Sequence, residues 1–154
     1  MQLIWIGLSI LAGYWVSEWP RRVFPAESRP VKPADMTDPE SRRCVWLYHP
    51  LVGVLGVLLT LTGSIAAQRL APELWERYLA FWGLFFLLGA FGAAVGAFEL
   101  ITGMSPDSLF FFSNSAEQRF YVDRERAVKV GRWRLVSCLS LNVMVFVACH
   151  LLRS

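Results

Sequence analysis

Hydrophobic residues in this chain are gathered into four blocks, which polar segments separate. The blocks run from Leu3 to Val16, Pro50 to Leu70, Leu79 to Thr102 and Leu135 to Leu152. The last three approach or exceed the ~20 apolar residues that a helix needs to cross a ~30 Å hydrocarbon layer. The pattern predicts an all-α integral membrane protein, one membrane domain over 1-154. Its four transmembrane helices are expected at about 2-19, 50-70, 79-103 and 134-152.

The first block is the shortest, and its apolar stretch raises the alternative of a secretory signal. No Lys or Arg precedes it, and bulky residues follow in GYWVSEW, where a signal peptide has small residues before its cleavage site. We therefore expect a retained helix. If it extends through Ser17 to Trp19, it still spans a thin bilayer.

Basic residues predict the orientation of these helices. Of the 15 Lys and Arg residues, twelve lie in the connections over 17-48 and 103-134, and three lie elsewhere. Cytoplasmic loops of membrane proteins accumulate Lys and Arg. We therefore expect two cytoplasmic loops, with the N- and C-termini on the non-cytoplasmic side, most simply in a bacterial inner membrane. Acidic residues alternate with the basic ones, so the net charge of +3 does not indicate a nucleic-acid partner.

The two long loops differ in their predicted structure. Five of the eight prolines fall in 20-48, which predicts an extended tether or docking strip, with the second helix starting at His49 and Pro50. In the loop over 104-133 we expect short interfacial helices. Ser105 is the predicted cap of one, and Asn114 with Glu117 has the spacing of a capping box for another that ends at Gly131. The alternation in FYVDRERAVKV also permits a strand.

Small residues and one acid share a face of the third predicted helix. They recur at spacings of three and four, which keep them on one side of a helix. In lipid, close backbone approach at small residues is a main source of helix association, and GxxxG pairs such as the second and third of these glycines are typical of it. We expect this face to contact another helix, of this chain or of a partner. It comprises Gly89, Gly92, Gly96, Glu99 and Gly103.

Glu99 is the candidate functional residue of this face, because an ionisable group inside a membrane helix is costly and needs compensation. Its predicted position near the negative end of the helix dipole adds to that need. The interpretations left open are a structural ion pair or water contact, a contact with a partner, and ion or proton handling. The candidate charge partners are Arg132, Arg134, Arg42, Arg43 and His49.

Asn142 is the polar residue predicted nearest the middle of the fourth helix, on a face shared with Cys138 and Cys149. Its amide is expected to form an interhelical hydrogen bond, for which Thr60, Thr62 and Ser64 are the candidates. We interpret it as a packing residue, with a ligand site as the alternative.

Several chemistries have no support in the sequence. The two histidines, His49 and His150, are predicted at opposite faces of the membrane and cannot hold one haem. No metal-ligand spacing, GxSxG, HExxH or glycine-rich phosphate loop occurs. We therefore predict no catalytic residues, no metal and no cofactor, although a bound lipid is compatible with the pattern.

Contact surfaces without reactive clusters predict a non-enzymatic subunit. We expect an accessory, assembly or immunity-type protein that acts through helix and loop contacts with another membrane protein or with a second copy. Two alternatives stay open. One is a small oligomeric transporter or channel using Glu99 and Asn142, and the other is an interfacial lipid-modifying enzyme in which His49, Glu99 and an arginine converge.

Overall fold

The computed structural model of the chain describes residues 2–70, 72, 79–108 and 118–151. Four helices account for most of these residues, so the prediction of a mostly helical protein is confirmed. A single 3-10 turn, Pro33–Asp35, precedes the second helix. The main elements are α1 (Gln2–Val23), α2 (Pro39–Leu70), α3 (Leu79–Thr102), β1 (Ser105–Pro106), β2 (Phe120–Tyr121) and α4 (Arg124–Leu151).

Helix α3 is the centre of the bundle. It packs against α1, α2 and α4, and α4 also packs against α1. Since neighbours surround α3, nearly all of its residues from Gly89 to Glu99 are buried. The Gly and Ala residues of this stretch allow three helices to approach one backbone closely.

One helical stretch in the described part of the chain, Pro39–Ala66, is long and apolar enough to cross a membrane by length and composition, and Leu87–Thr102 is a shorter apolar helix. The structure does not by itself support four transmembrane helices; it supports four helices with one candidate span. Helix α1 continues to Val23 and α4 begins at Arg124, ten residues before the predicted position. Both helices are therefore longer and more polar than predicted.

The predicted start of α2 at His49 and Pro50 is wrong. The helix begins at Pro39, where the Asp38 carboxylate accepts hydrogen bonds from the backbone N–H of Ser41 (2.8 Å) and of Glu40 (3.3 Å). An Asp cap followed by Pro at the first helical position is a stronger start signal than His followed by Pro. Pro50 lies inside the helix, at the cost of one hydrogen bond.

The loop over 20-48 is not the extended tether that its prolines suggest. Val31 pairs with Phe120 through two backbone hydrogen bonds of 2.9 Å. Met36 is buried, and its carbonyl accepts a hydrogen bond from the Arg42 side chain. A few apolar residues between the prolines are enough to attach the loop to a core that the helices already provide.

The second long loop also differs from its prediction. Ser105 and Pro106 form a strand that pairs antiparallel with β2, rather than starting a helix. The backbone N–H of Arg126 donates to the Asp123 carboxylate (3.1 Å), which caps α4, and that helix continues past Gly131. The proposed capping box of Asn114 and Glu117 lies outside the described residues.

An aromatic cluster joins the helices to the loops. Tyr48 of α2 lies at 4.9 Å, between ring centroids, from Phe98 of α3 and at 5.4 Å from Phe120 of β2. All three residues are fully buried. The two loops therefore close one end of the bundle and bring Ser105 over Glu99.

Candidate functional site

Glu99 and Arg134 form a fully buried ion pair between α3 and α4. Both residues have 0% exposed surface. The Arg134 guanidinium donates from Nη1 to Glu99 Oε1. The Ser105 hydroxyl donates to the same oxygen from the loop end of the bundle. The carboxylate thus lies between a cation on a neighbouring helix and a hydroxyl on β1.

Arg134 also connects this pair to α1. Its Nε donates to the backbone carbonyl of Ser17 at 2.8 Å. The Ser17 hydroxyl in turn donates to the carbonyls of Gly13 (3.0 Å) and Tyr14 (2.9 Å) within its own helix. A single guanidinium therefore holds α1, α3 and α4 together.

The pair is costly to bury, so its geometry has energetic consequences. Removing two charges from water is compensated only if their contact and their other hydrogen bonds are good. Here Glu99 Oε2 and Arg134 Nη2 are buried without a hydrogen-bond partner among the described residues. Loss of either residue would leave the other as an uncompensated buried charge.

The five residues predicted to share a face of α3 all lie against α4. A Cβ placed on Gly92 would lie 2.6 Å from Cys138 Sγ, and one on Gly103 would lie 2.8 Å from the Arg124 side chain. Gly89 faces Asn142, and Gly96 faces the backbone of Gly131. The contacts run in opposite directions along the two chains, as antiparallel helices require. The helix contact made by this face therefore lies within this chain.

Asn142 does not find the predicted partners on α2. It lies against Gly89, and its Oδ1 is buried without a hydrogen-bond partner in the described ranges. Thr60 and Thr62 donate to carbonyls of their own helix, at Gly56 (2.7 Å) and Leu58 (2.8 Å). Helix α3 lies between α2 and α4, so the two sets of side chains belong to different interfaces.

The remaining candidate partners of Glu99 are placed elsewhere. Arg132 and Arg43 are exposed, and Arg42 is directed to the Met36 carbonyl. The His49 ring packs against Tyr48, with 5.2 Å between ring centroids, and its Nε2 has no hydrogen-bond partner among the residues described. His49 Nε2 therefore makes no hydrogen bond to Glu99 or to any arginine that the structure describes, a contact that the lipid-modifying alternative predicted.

Glu99 and Arg134 form a cluster with Ser17, Ser105 and Gly131, which we call the Glu99 cluster. The sequence did not predict the part that these last three residues play in it. Ser17 contributes a backbone carbonyl, which no side-chain pattern reveals. Ser105 was interpreted as a helix cap. Gly131 had a usable signal, because it stands three residues before Arg134 and thus next to it on a helix, as Gly96 stands three before Glu99.

In the described ranges, no three His, Cys, Asp or Glu side chains come together as metal ligands would. Comparison of the chain with protein-family models, curated proteins and solved structures gives no match. The class that the fold defines is a mostly helical protein in which the four main helices of the described residues pack around a buried Glu–Arg ion pair.

Proposed function

We propose that this protein is an integral membrane protein whose four helices all cross the bilayer, and that it works as a non-enzymatic subunit of a membrane assembly. The observation that carries the membrane proposal is the distribution of polarity. Glu99 and Arg134 are fully buried, whereas each helix exposes large apolar side chains. Examples, one from each helix in chain order, are Leu11, Val54, Ile101 and Met144.

This distribution is the reverse of what water favours. A soluble four-helix bundle turns its apolar stripe inward and its charges outward. Hydrocarbon solvates exposed Leu and Val side chains and penalises an exposed Glu or Arg. In Pro39–Ala66, only 22% of the most apolar window is buried, unlike the core helix of a soluble protein.

The proposed orientation follows the basic residues, with the loops over 20-48 and 104-133 in the cytoplasm of a bacterial cell. Their association at one end of the bundle, through the pairing of Val31 with Phe120, is consistent with both loops lying on the same side. Glu27 and Ser28 are exposed there, and the bond between them is a site for endoproteinase Glu-C, which cleaves after glutamate.

Membrane vesicles test this proposal. The protein should stay in the pellet after washing with alkaline carbonate, because spanning helices resist extraction. Endoproteinase Glu-C should cleave after Glu27 in inside-out vesicles and spare this bond in right-side-out vesicles. Extraction by carbonate would contradict the membrane proposal, and cleavage only in right-side-out vesicles would contradict the orientation.

The subunit role is supported by an open glycine on α2. A Cβ on Gly53 would have nothing within 4 Å, although the neighbouring Val54 and Val57 are large and exposed. Apart from Gly7, every other glycine whose surroundings are described meets a neighbour closer than 3 Å in the same test. Small residues in a membrane helix mark places where another helix approaches.

Gly53 therefore marks the surface at which we expect a transmembrane helix of the partner. This open face of α2 lies away from α3, because the buried positions Val45, Tyr48 and Val52 occupy the other side of the helix. The glycine face of α3 cannot serve this role, since α4 already covers it.

A photo-crosslinking amino acid at Val54 tests the docking surface in native membranes. We expect a discrete protein adduct from position 54 and none from Val143, an equally exposed position on α4. Gly53→Ile should abolish the adduct because the branched side chain keeps a second backbone away, whereas Gly53→Ala should weaken it less. An adduct of twice the protein's mass would identify a second copy as the partner.

Lipid adducts alone at position 54, or equal protein adducts at 54 and 143, would contradict the subunit role without affecting the membrane proposal.

The transporter alternative, using Glu99 and Asn142, is less well supported, because Glu99 is closed in by Arg134 and Ser105. The transporter would be favoured instead if proteoliposomes took up ions in a pH-dependent way and Glu99→Gln abolished this flux with assembly intact.

A further inference from the structure

A polar cavity of about 340 Å³ lies where the end of α1, the β1–β2 ribbon and the first turn of α4 meet. It is separate from the Glu99 cluster, and the functions considered above do not use it. Three arginines and two carboxylates line it, with the Tyr121 ring on one side. The charged residues are Glu18, Arg21, Arg22, Asp107 and Arg126.

Both carboxylates are already engaged with Arg21. Its Nη1 donates to the Glu18 carboxylate at 3.1 and 3.2 Å, and its Nη2 donates to the Asp107 carbonyl and lies 3.5 Å from Asp107 Oδ1. The Tyr121 hydroxyl also donates to Asp107 Oδ1, at 2.9 Å. The two acids therefore have little negative charge to offer the other arginines.

Arg126 is the cation that this arrangement leaves uncompensated. It is 8% exposed, and its Nε donates to the Phe24 carbonyl at 2.8 Å. Its guanidinium carbon lies 4.7 Å from the centroid of the Tyr121 ring. Its Nη1 is buried without a hydrogen-bond partner among the described residues, although the side chain lines the cavity.

The electrostatics agree with this geometry. Burial, and then the positive charge of Arg21, lower the pKa of Arg126 below its usual value. Arg22 adds a third guanidinium at the exposed rim, and within the described part of the chain it forms no ion pair. The cavity thus holds one positive charge more than its acids balance.

We propose that this cavity binds a phosphate group, with Arg126 as its buried ligand and Arg22 as its outer one. A guanidinium is planar and presents paired donors, which suit phosphate oxygens, and its hydrogen bonds to an anion are among the stronger ones in proteins. The Phe24 carbonyl and the Tyr121 ring fix the orientation of Arg126, so a ligand need not pay to order this side chain.

The phosphate has two possible sources, a membrane lipid headgroup and a free phosphate in the cytoplasm. Trp19 of α1 and Trp133 of α4, the two helices that line the cavity, pack together with 5.9 Å between ring centroids. Such rings are favoured at the headgroup level of a membrane. The lipid source rests on the proposed membrane location. The phosphate site itself does not.

The test uses the full-length protein in dodecyl maltoside, which carries no phosphate. Calorimetric titrations with inorganic phosphate and with dihexanoyl phosphatidylglycerol, at constant ionic strength, form the two arms. Dihexanoylglycerol, with the same chains and no phosphate, is the ligand control. The variants are Arg126→Gln and Arg22→Gln, and Arg132→Gln is the matched control because it removes an exposed charge from α4 outside the cavity.

We expect saturable binding that weakens by about tenfold or more in Arg126→Gln, which loses a charged hydrogen bond. Arg22→Gln should weaken it by roughly two- to fivefold, since that residue is exposed, and Arg132→Gln should leave it unchanged. Binding of the phospholipid alone assigns a headgroup site. Binding of inorganic phosphate as well assigns a site open to water, and either pattern supports the proposal.

The proposal is overturned if neither probe gives saturable binding, if dihexanoylglycerol binds as well as the phospholipid, or if all three variants weaken binding equally. If Arg126→Gln does not fold, the comparison of Arg22→Gln with Arg132→Gln decides. Extraction of the protein from membranes by carbonate would exclude the lipid headgroup as the source of the phosphate. The titration with inorganic phosphate would then test the site by itself.

Discussion

Gly96 of α3 and Gly131 of α4 bring their backbones into direct contact. A Cβ on Gly131 would lie 2.7 Å from the Gly96 carbonyl oxygen, and one on Gly96 would lie 2.8 Å from the Gly131 carbonyl oxygen. Glu99 and Arg134 each follow their glycine by three residues in helices that run in opposite directions, so they flank this contact and their long side chains reach each other across it. The close approach of the glycines is what allows the ion pair to be buried.

Gly131→Ala should therefore destabilise the protein by about 1–3 kcal/mol, the usual cost of overpacking a tight contact. The new methyl group would meet backbone and the Glu99 side chain, at 2.8 Å from its Cβ, and neither can move away without separating the helices. The free energy of unfolding in detergent, measured by denaturant titration, tests this.

Gly53→Ala is the matched control, because it too lies inside a helix but has open space around it. We expect Gly53→Ala to be neutral or to stabilise by up to about 1 kcal/mol, since Ala is the better helix former. Equal destabilisation by both variants would show that the contact of Gly96 with Gly131 is not tight.

The Glu99–Arg134 pair should show strong coupling. Glu99→Gln removes the anion and leaves the Arg134 charge buried, which we expect to cost about 3–5 kcal/mol. The double variant Glu99→Met with Arg134→Met should be far more stable than the sum of its single variants predicts, because no buried charge remains. Additive effects in this double-mutant cycle, measured by unfolding, would contradict a direct ion pair.

Phe120 should hold the loop over 20-48 in place. Phe120→Ala removes a fully buried ring from the contacts with Tyr48 and Phe98. We expect a loss of about 3–5 kcal/mol and faster cleavage by endoproteinase Glu-C after the exposed Glu27, four residues before the backbone pairing at Val31. Val122→Ala, two residues along and 49% exposed, is the control and should leave the cleavage rate unchanged.

The start of α2 should respond to acid. Hydrogen bonds from the Ser41 hydroxyl, and then from the backbone N–H of Ser41 and Glu40, lower the pKa of Asp38 below its usual 3.8. The cap therefore contributes its full stability above that pH and loses it as the pH falls through the lower, folded-state pKa. The NMR shift of the Ser41 amide should titrate with a midpoint below 3.8.

Asp38→Asn tests the assignment, since Asn caps helices at any pH and should make the Ser41 shift independent of acid. Asp35→Asn is the control and should leave the midpoint where it is in the natural protein. A Ser41 midpoint at or above 3.8 would contradict the cap.

Local signals predicted much of the bundle. Runs of apolar residues located the bodies of the four helices, and period-three and period-four spacing placed Gly89, Gly92, Gly96, Glu99 and Gly103 on one face. The helix ends were predicted less well. Asp38 caps α2, which was expected to start at His49, and Asp123 caps α4, which was expected to start at about residue 134, because the apolar blocks were used to place the helix ends.

The sequence by itself determined the helices, their faces and the need of Glu99 for a cation. Only the tertiary structure decided that Arg134 supplies it, because five candidates lay at similar predicted depth and their helices' relative rotation is fixed by packing. The tertiary structure also determined the attachment of the proline-rich loop and the meeting of three arginines at one cavity. Both depend on contacts between residues far apart in the chain, such as Val31 with Phe120, for which no local pattern exists.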